Sequence, residues 1–427
     1  VPEEYDGLGM GFVTTMLVCD YISGATGSVA TAFGAHTGIG TMPITLYGTE
    51  EQKKKYVPKL ATGEWFGAYC LTEPGAGMLS ERGNGFKIAM NALNVRRIKL
   101  AAASLDAQRR VIDQATKYAN DRVQFKTPIA KFGAIKSKLA EMATSAFAGE
   151  SASYRAGKNI EERIALRMEA GNSHQEAELK SVEEYAIECS ILKVAVSEDI
   201  QNCADEGIQI FGGMGFSADT PMESAWRDAR IARIYEGTNE INRMLAVGML
   251  VKKAMKGHVD LLGPAQAVGE ELMGIPSFDT PDYSDVLSEE KEMIQKLKKV
   301  FLMVAGSAVK KYGPELEEHQ QLLLASADIL IEIYMAESAI LRAEKNHKRD
   351  NANAEYQVAM AQLYLYHAVE IVNQKAKEGI ISFAEGDEQK AMLMGLKRWT
   401  KYQNFPNIVQ LRNKIAEKVT AENTYPF

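Results

Sequence analysis

Cysteine and histidine are scarce in this chain, and neither is clustered. Its 427 residues include four cysteines, Cys19, Cys70, Cys189 and Cys203, with no C-x-x-C pair among them. That spacing offers no disulfide framework and no zinc site, and it suits a reducing compartment. The histidines at 36, 174, 258, 319, 347 and 367 are equally dispersed, so no metal site is expected. No apolar run approaches the roughly 18 to 20 residues that a membrane span needs. The start, Val1-Pro2-Glu3-Glu4-Tyr5, resembles neither a signal peptide nor an initiator methionine, so a beginning inside a larger, non-secreted protein is expected. Forty-nine basic against 56 acidic residues give a net charge of -7, which argues against nucleic acid as a partner. Strand-like alternation is nearly absent too, confined to the neighbourhood of Gly67 to Leu71.

What is present is helical periodicity, over a length sufficient for two or three domains. Thr49-Glu50-Glu51-Gln52 reads as a capping box opening a helix over Lys53 to Leu60, with Gly63 as its stop. Residues 12–47 are rich in small and apolar side chains, as in tightly packed helices. An Ala- and Leu-rich pattern from Phe86 to Tyr118 predicts one long core helix, and further helices are predicted over 133–170, 176–206 and 238–255. Gly and Pro crowd the stretch from Gly257 to Pro281, which predicts a linker. Beyond it Ser288 is placed to cap a helix whose apolar face carries Ile294, Leu297, Phe301 and Val304, and amphipathic patterns continue over 317–345, 352–377 and 386–403. Tyr334, Met335, Tyr364 and Tyr366 read as packing residues, and Lys296, Lys298, Lys299, Lys310 and Lys311 as a solvated helix face.

Four segments carry candidate chemistry. In Arg233-Ile234-Tyr235-Glu236-Gly237-Thr238-Asn239, Glu236 falls on a tight turn before a helix, with Thr238 placed as its N-cap. A carboxylate there, beside an aromatic ring and a glycine, can be partly desolvated and act as a base. Tyr69-Cys70-Leu71-Thr72-Glu73-Pro74-Gly75-Ala76-Gly77 ends an extended segment in a glycine-rich turn whose amides and Thr72 hydroxyl can meet a polar planar ligand. Arg122-Val123-Gln124-Phe125 supplies a fixed cation and an aromatic plane, a pairing suited to a phosphate-bearing ring cofactor. Gln209-Ile210-Phe211-Gly212-Gly213-Met214-Gly215 offers a side-chain amide and glycines that let backbone approach a ligand, or a helix C-cap and loop. It lacks a preceding strand and is no dinucleotide fingerprint.

In this order the segments resemble the acyl-CoA dehydrogenase family across essentially the whole chain. The helical tail beyond Lys256 and the Phe132-Gly133-Ala134-Ile135 segment resemble its very-long-chain type. The resemblance implies a flavoprotein with FAD as cofactor, a mainly α fold of helical domains, and an extra C-terminal helical domain. It implies α,β-dehydrogenation of long-chain acyl-CoA to trans-2-enoyl-CoA, a step of fatty acid β-oxidation, with Glu236 as the base, hydride passing to flavin N5, and an electron-transferring flavoprotein as acceptor. By the same resemblance Tyr69, Leu71, Thr72, Arg122, Phe125, Gln209, Gly213, Thr238 and Asn239 contact FAD, while Asn94, Arg97, Tyr235 and Gly237 contact the substrate. Gln209 and Gly213 would reach the cofactor of a neighbouring subunit, implying a homodimer, and the tail implies peripheral membrane contact. The implied location is the cytoplasm in a bacterium, or the mitochondrial matrix or inner-membrane face in a eukaryote.

Three departures stand out. Arg96 replaces a family glycine beside Arg97 and is expected either to disturb the substrate channel or to point to solvent; Lys126 replaces another glycine after Phe125. At Gly77-Met78 the family's β-barrel middle domain, about 100 residues in a typical compact unit, is missing. Its deletion would uncover a sheet edge and the apolar faces it packed against, so a domain lying outside these residues is expected. The expected segments are an N-terminal helical domain (1–77), a catalytic helical domain (78–255), a linker (256–287) and an extra helical domain (288–427). The competing reading is a catalytically impaired scaffold acting through its tail, like the family's respiratory-complex assembly member; an oxidase chemistry is a third.

Overall fold

A computed structural model describes residues 1–68, 85–274 and 283–427. Helices dominate them. The first are α1 (Phe12–Ser23), α2 (Gly27–Gly34), a π-helical turn at Ala35–Gly40, α3 (Met42–Tyr47), α4 (Glu50–Ala61), α5 (Gly85–Ala102) and α6 (Leu105–Asp121). A short antiparallel hairpin follows, β1 (Val123–Gln124) and β2 (Thr127–Pro128), paired Val123 to Pro128 and Gln124 to Thr127. Next come α7 (Gly133–Glu169), α8 (His174–Glu184), α9 (Ala186–Phe211), α10 (Gly213–Phe216), α11 (Pro221–Ala232) and α12 (Asn239–Met255). The tail holds α13 (Leu262–Met273), α14 (Ser288–Tyr312), α15 (Gln320–His347), α16 (Ala354–Phe383), α17 (Gly386–Trp399) and α18 (Ile408–Glu422).

The chain forms two compact units, each assembled from two separate stretches of sequence. One comprises Val1–Val111 and Ser153–Thr238, the other Ile112–Ala152 and Asn239–Phe427. In the first, α9 is the central element, packing on α5 and α11 and burying Leu192, Val196, Ile200 and Cys203. In the second, α15 and α16 pack along their length with α14 against both. Their shared core includes Ile329, Met335, Ala339, Leu363, Leu365 and Val372, all out of water.

Several local expectations hold for the stated reasons. The Thr49 side chain accepts from the Gln52 amide (3.2 Å) while the Gln52 side chain accepts from the Thr49 amide (2.8 Å), a reciprocal capping box. Ile294, Leu297, Phe301 and Val304 are buried along α14. Its lysines are ion-paired: Lys296 with Glu292, Lys298 with Glu337, and Lys299 with Glu271.

Others are corrected. The helix predicted from Phe86 to Tyr118 is two, because at Ser104 the hydroxyl donates back to the Leu100 carbonyl (2.9 Å) while the Ser104 carbonyl accepts from Gln108 (3.1 Å), restarting the helix. The pattern over 176–206 likewise divides at Tyr185. Inside the expected linker lies α13, whose Val268 is buried and which packs on α14 and α17. Leu287, with φ of 61°, takes the N-cap position of α14 in place of Ser288, whose hydroxyl bonds the Asp285 carbonyl. The hairpin at Val123–Pro128 was not anticipated. The Gly67 to Leu71 strand expectation and the Gly77-Met78 junction run into or lie within residues outside those described.

Candidate active site

Glu236 sits on the turn between α11 and α12, and the turn is left-handed at two successive residues, Glu236 (φ 61°) and Gly237 (φ 80°). A non-glycine residue there carries a cost of order 1–3 kcal/mol, so surrounding contacts must over-determine it. Those contacts come from adjacent residues of α5. Arg97 Nε donates to the Glu236 carbonyl (3.4 Å), fixing the backbone. Arg96 Nε (2.9 Å) and Nη2 (2.7 Å) both donate to Glu236 Oε1, fixing the side chain. The Arg96 and Glu236 side chains are only 7% and 5% exposed, so the ion pair replaces most of their hydration.

The structure therefore brings Asn94, Arg97, Tyr235, Glu236 and Gly237 together as the sequence suggested. Asn94 and Arg97 are one helical turn apart on α5, and Arg97 Nη1 donates to Asn94 Oδ1 (2.8 Å). Arg97 is almost wholly buried; burial lowers its pKa, opposed by the charges of Cys189 and Glu236. Burial also raises the Tyr235 phenol, opposed first by a hydrogen bond with Thr31 and then by the Arg96 charge. Of the two expectations for Arg96, the structure overturns pointing to solvent; the side chain turns inward onto Glu236, among the residues expected at the substrate. A doubled basic residue gave no sign of its partner, because the pairing joins residues 140 apart in sequence.

Room for the guanidinium comes from Gly34, at the end of α2, and Gly38, in the π turn. At either one a Cβ would fall inside 3.0 Å of the Arg96 side chain. That turn is pinned by His36, whose Nδ1 accepts from the Gly67 amide (2.9 Å) and whose Nε2 therefore donates to the Leu60 carbonyl (3.1 Å).

The residues expected at the cofactor divide between the units. Gln209, Gly213 and Thr238 belong to the first; Arg122, Phe125 and Asn239 belong to the second; Tyr69, Leu71 and Thr72 lie outside the described residues. Arg122 and Phe125 are exposed beside and on the hairpin, with the Phe125 ring 88% accessible. Its tip residues Phe125 (φ 50°) and Lys126 (φ 64°) are both left-handed, which explains the glycine usual in place of Lys126. Gln209 is exposed near the end of α9. Gly212 adopts φ 61° and ψ −139°, a conformation open only to glycine. At Gly213 an added Cβ would meet nothing within 4 Å, so packing inside this chain does not require that glycine. Each unit thus presents exposed polar or bare backbone groups: a cation and a ring on one, an amide and glycine backbone on the other. Asn239 opens α12, with Thr238 just before it at the N-cap position.

Comparison with known proteins decides the family. A model described as the acyl-CoA dehydrogenase N-terminal domain matches residues 1–64, and two described as its C-terminal domain match 83–249 and 296–398. The chain belongs to the acyl-CoA dehydrogenase family. It is thus an oxidoreductase acting on the CH–CH group of acyl-CoA. It is 34% identical to a probable acyl-CoA dehydrogenase of Bacillus subtilis over 100% of this chain and 86% of that one. The human very long-chain specific mitochondrial enzyme is 24% identical, over 94% of this chain and 75% of that one. A crystal structure of an acyl-CoA dehydrogenase complexed with FAD from Bacillus anthracis superposes with a TM-score of 0.92 at 34% identity, covering 100% of this chain and 88% of that one. The Bacillus subtilis alignment runs over 516 positions against the 427 residues here, so at least 89 of them have no counterpart in this acyl-CoA dehydrogenase.

Proposed function

We propose that this acyl-CoA dehydrogenase uses FAD to oxidise long-chain acyl-CoA to trans-2-enoyl-CoA, with Glu236 as the base that removes the α-proton. The observation that carries the reading is a carboxylate held nearly out of water on a left-handed turn, its Oε1 fixed by Arg96 and its backbone carbonyl by Arg97. A base in that setting needs little reorganisation when it takes a proton, and the dry surroundings strengthen its interaction with a polarised thioester. Bound FAD supplies the hydride acceptor. Arg122, Phe125, Thr238 and Asn239 would hold it together with Tyr69, Leu71 and Thr72, with Gln209 and Gly213 reaching it from a second copy, while Asn94, Arg97, Tyr235 and Gly237 flank the substrate.

The long-chain preference rests on the resemblance of the tail to the very-long-chain enzymes, and an electron-transferring flavoprotein is the acceptor proposed on the same basis. Exposed Gln209, and Gly213, at which a Cβ would meet nothing among the described residues, support contact with a second copy and hence a homodimer. The scaffold reading has less behind it, because it gives no role to the buried Glu236 carboxylate held by Arg96.

The test is anaerobic reduction. Palmitoyl-CoA added to the FAD-loaded protein should bleach the flavin band, and Glu236→Gln should not bleach. Bleaching by the variant at the parent rate would sink the assignment of the base.

A further inference from the structure

Arg96 holds the base in place, and the way it does so bears on when the base is ready to act. Two nitrogens converge on a single carboxylate oxygen, at 2.9 Å and 2.7 Å. The slot it fills is walled by Gly34 and Gly38, where an added Cβ would push the Arg96 side chain from its place: its terminal Nη1 at Gly34 and its Cδ at Gly38. Arg97, next to it, is engaged instead with the Glu236 carbonyl and Asn94. Geometry, burial and a shaped cavity thus agree on one pairing.

We propose that Arg96 is the positioning residue of the base: it anchors the Glu236 carboxylate as an anion and thereby sets the lowest pH at which the enzyme removes the α-proton. This rests on Glu236 being that base. In the step itself the proton moves from the substrate α-carbon to a carboxylate oxygen, and the ion pair gives way to a hydrogen bond between guanidinium and neutral acid.

Among the described residues, the charged and titratable groups against the pair are Arg97 on α5, Tyr235 in the turn and Cys19 on α1; behind them lie Cys189 on α9 against Arg97, Asp228 on α11 against Tyr235, and Lys99 and Asp20 against Cys19. Burial pushes both thiols and the Tyr235 phenol upward, away from the acid range. The outer carboxyls are engaged elsewhere: Asp228 Oδ2 accepts from the Gly27 amide (3.1 Å), and Asp20 accepts from Arg109 (2.6 Å) and from the Tyr154 hydroxyl (2.7 Å).

Three variants separate charge from shape. Arg96→Met removes the charge and keeps most of the volume; Arg96→Lys keeps a charge without the fork; Gly34→Ala crowds the guanidinium while leaving every charge in place. The readout is the pH profile of kcat/KM for acyl-CoA oxidation by the FAD-loaded enzyme. In Arg96→Met the acid limb should move upward, because the neighbouring cation that favours the carboxylate is gone. Gly34→Ala should move it the same way by less, and Arg96→Lys should restore most of the shift.

A stability cycle needs no turnover: Arg96→Met, Glu236→Gln and the double variant should show about tenfold or greater coupling in the unfolding constant. If Arg96→Met does not fold, Gly34→Ala and Arg96→Lys carry both measurements. A limb that stays put, or a cycle without coupling, overturns the role of Arg96 and leaves the base assignment intact. Full activity in Glu236→Gln overturns the base assignment instead.

Discussion

The Glu236 turn and the α15–α16 hairpin treat charge in opposite ways. At the turn, an arginine and a glutamate are buried against each other in a left-handed loop, where either alone would be strongly destabilising. Along the hairpin the interior is aliphatic, and ions such as Lys348 with Glu344 lie at its surface. The contrast sets a buried, fully paired charge at the turn against an apolar core whose charges stay near water.

Four substitutions test that contrast. The largest effect is expected at the turn: Glu236→Gln should lower the rate of substrate-dependent flavin reduction by at least about 10²-fold, the minimum usual for removing a general base, as measured by stopped-flow absorbance. Next, Leu365→Ala in the hairpin should cost about 2–5 kcal/mol of stability through an unfilled cavity, read from denaturant midpoints, while leaving the acid limb of activity where it was.

Glu141 is the intermediate case. Burial pushes its carboxyl up, but hydrogen bonds and charge from His367 (3.0 Å) and Arg412 (2.6 Å) win and hold it below its usual 4.5. A depressed carboxyl contributes stability that is present above its unfolded value and lost as pH falls through the folded one. Glu141→Gln should therefore be less stable than the parent at pH near 7, and the gap in unfolding midpoint should close on acidification below about 4.5. The smallest effect belongs to Lys390→Ala, whose partner Asp387 is fully exposed. Its midpoint should change by no more than about 0.5 kcal/mol.

Much of this was legible in the sequence wherever the cause is local. The capping box at Thr49 and Gln52, the extents of α7 and α12, and the tight turn at Glu236 follow from neighbours a few residues away. The restart at Ser104 was not legible, because a hydroxyl that bends back onto Leu100 looks like any serine in a helix. Helix α13 was hidden by its glycines and prolines, although Leu262, Ala265, Val268 and Leu272 recur at helical spacing. The partner of Glu236 was hidden most completely. Arg96 meets it only after α5 and the turn are packed together, and the sequence signs of that meeting are two glycines, 34 and 38, that lie in a segment already rich in small residues.

The interleaving of the two units bears on how the molecule is made. The first unit cannot close until residue 238 has been synthesised, because Val1–Val111 wait for Ser153–Thr238, and the second needs Ile112–Ala152 kept available until the tail arrives. During translation the early helices must therefore persist without their partners, a period in which unburied apolar faces invite association with other chains. A cut at residue 111 or 152 would release fragments of units and no complete one, so a search for an independently folding piece has no natural place to divide the chain before residue 238.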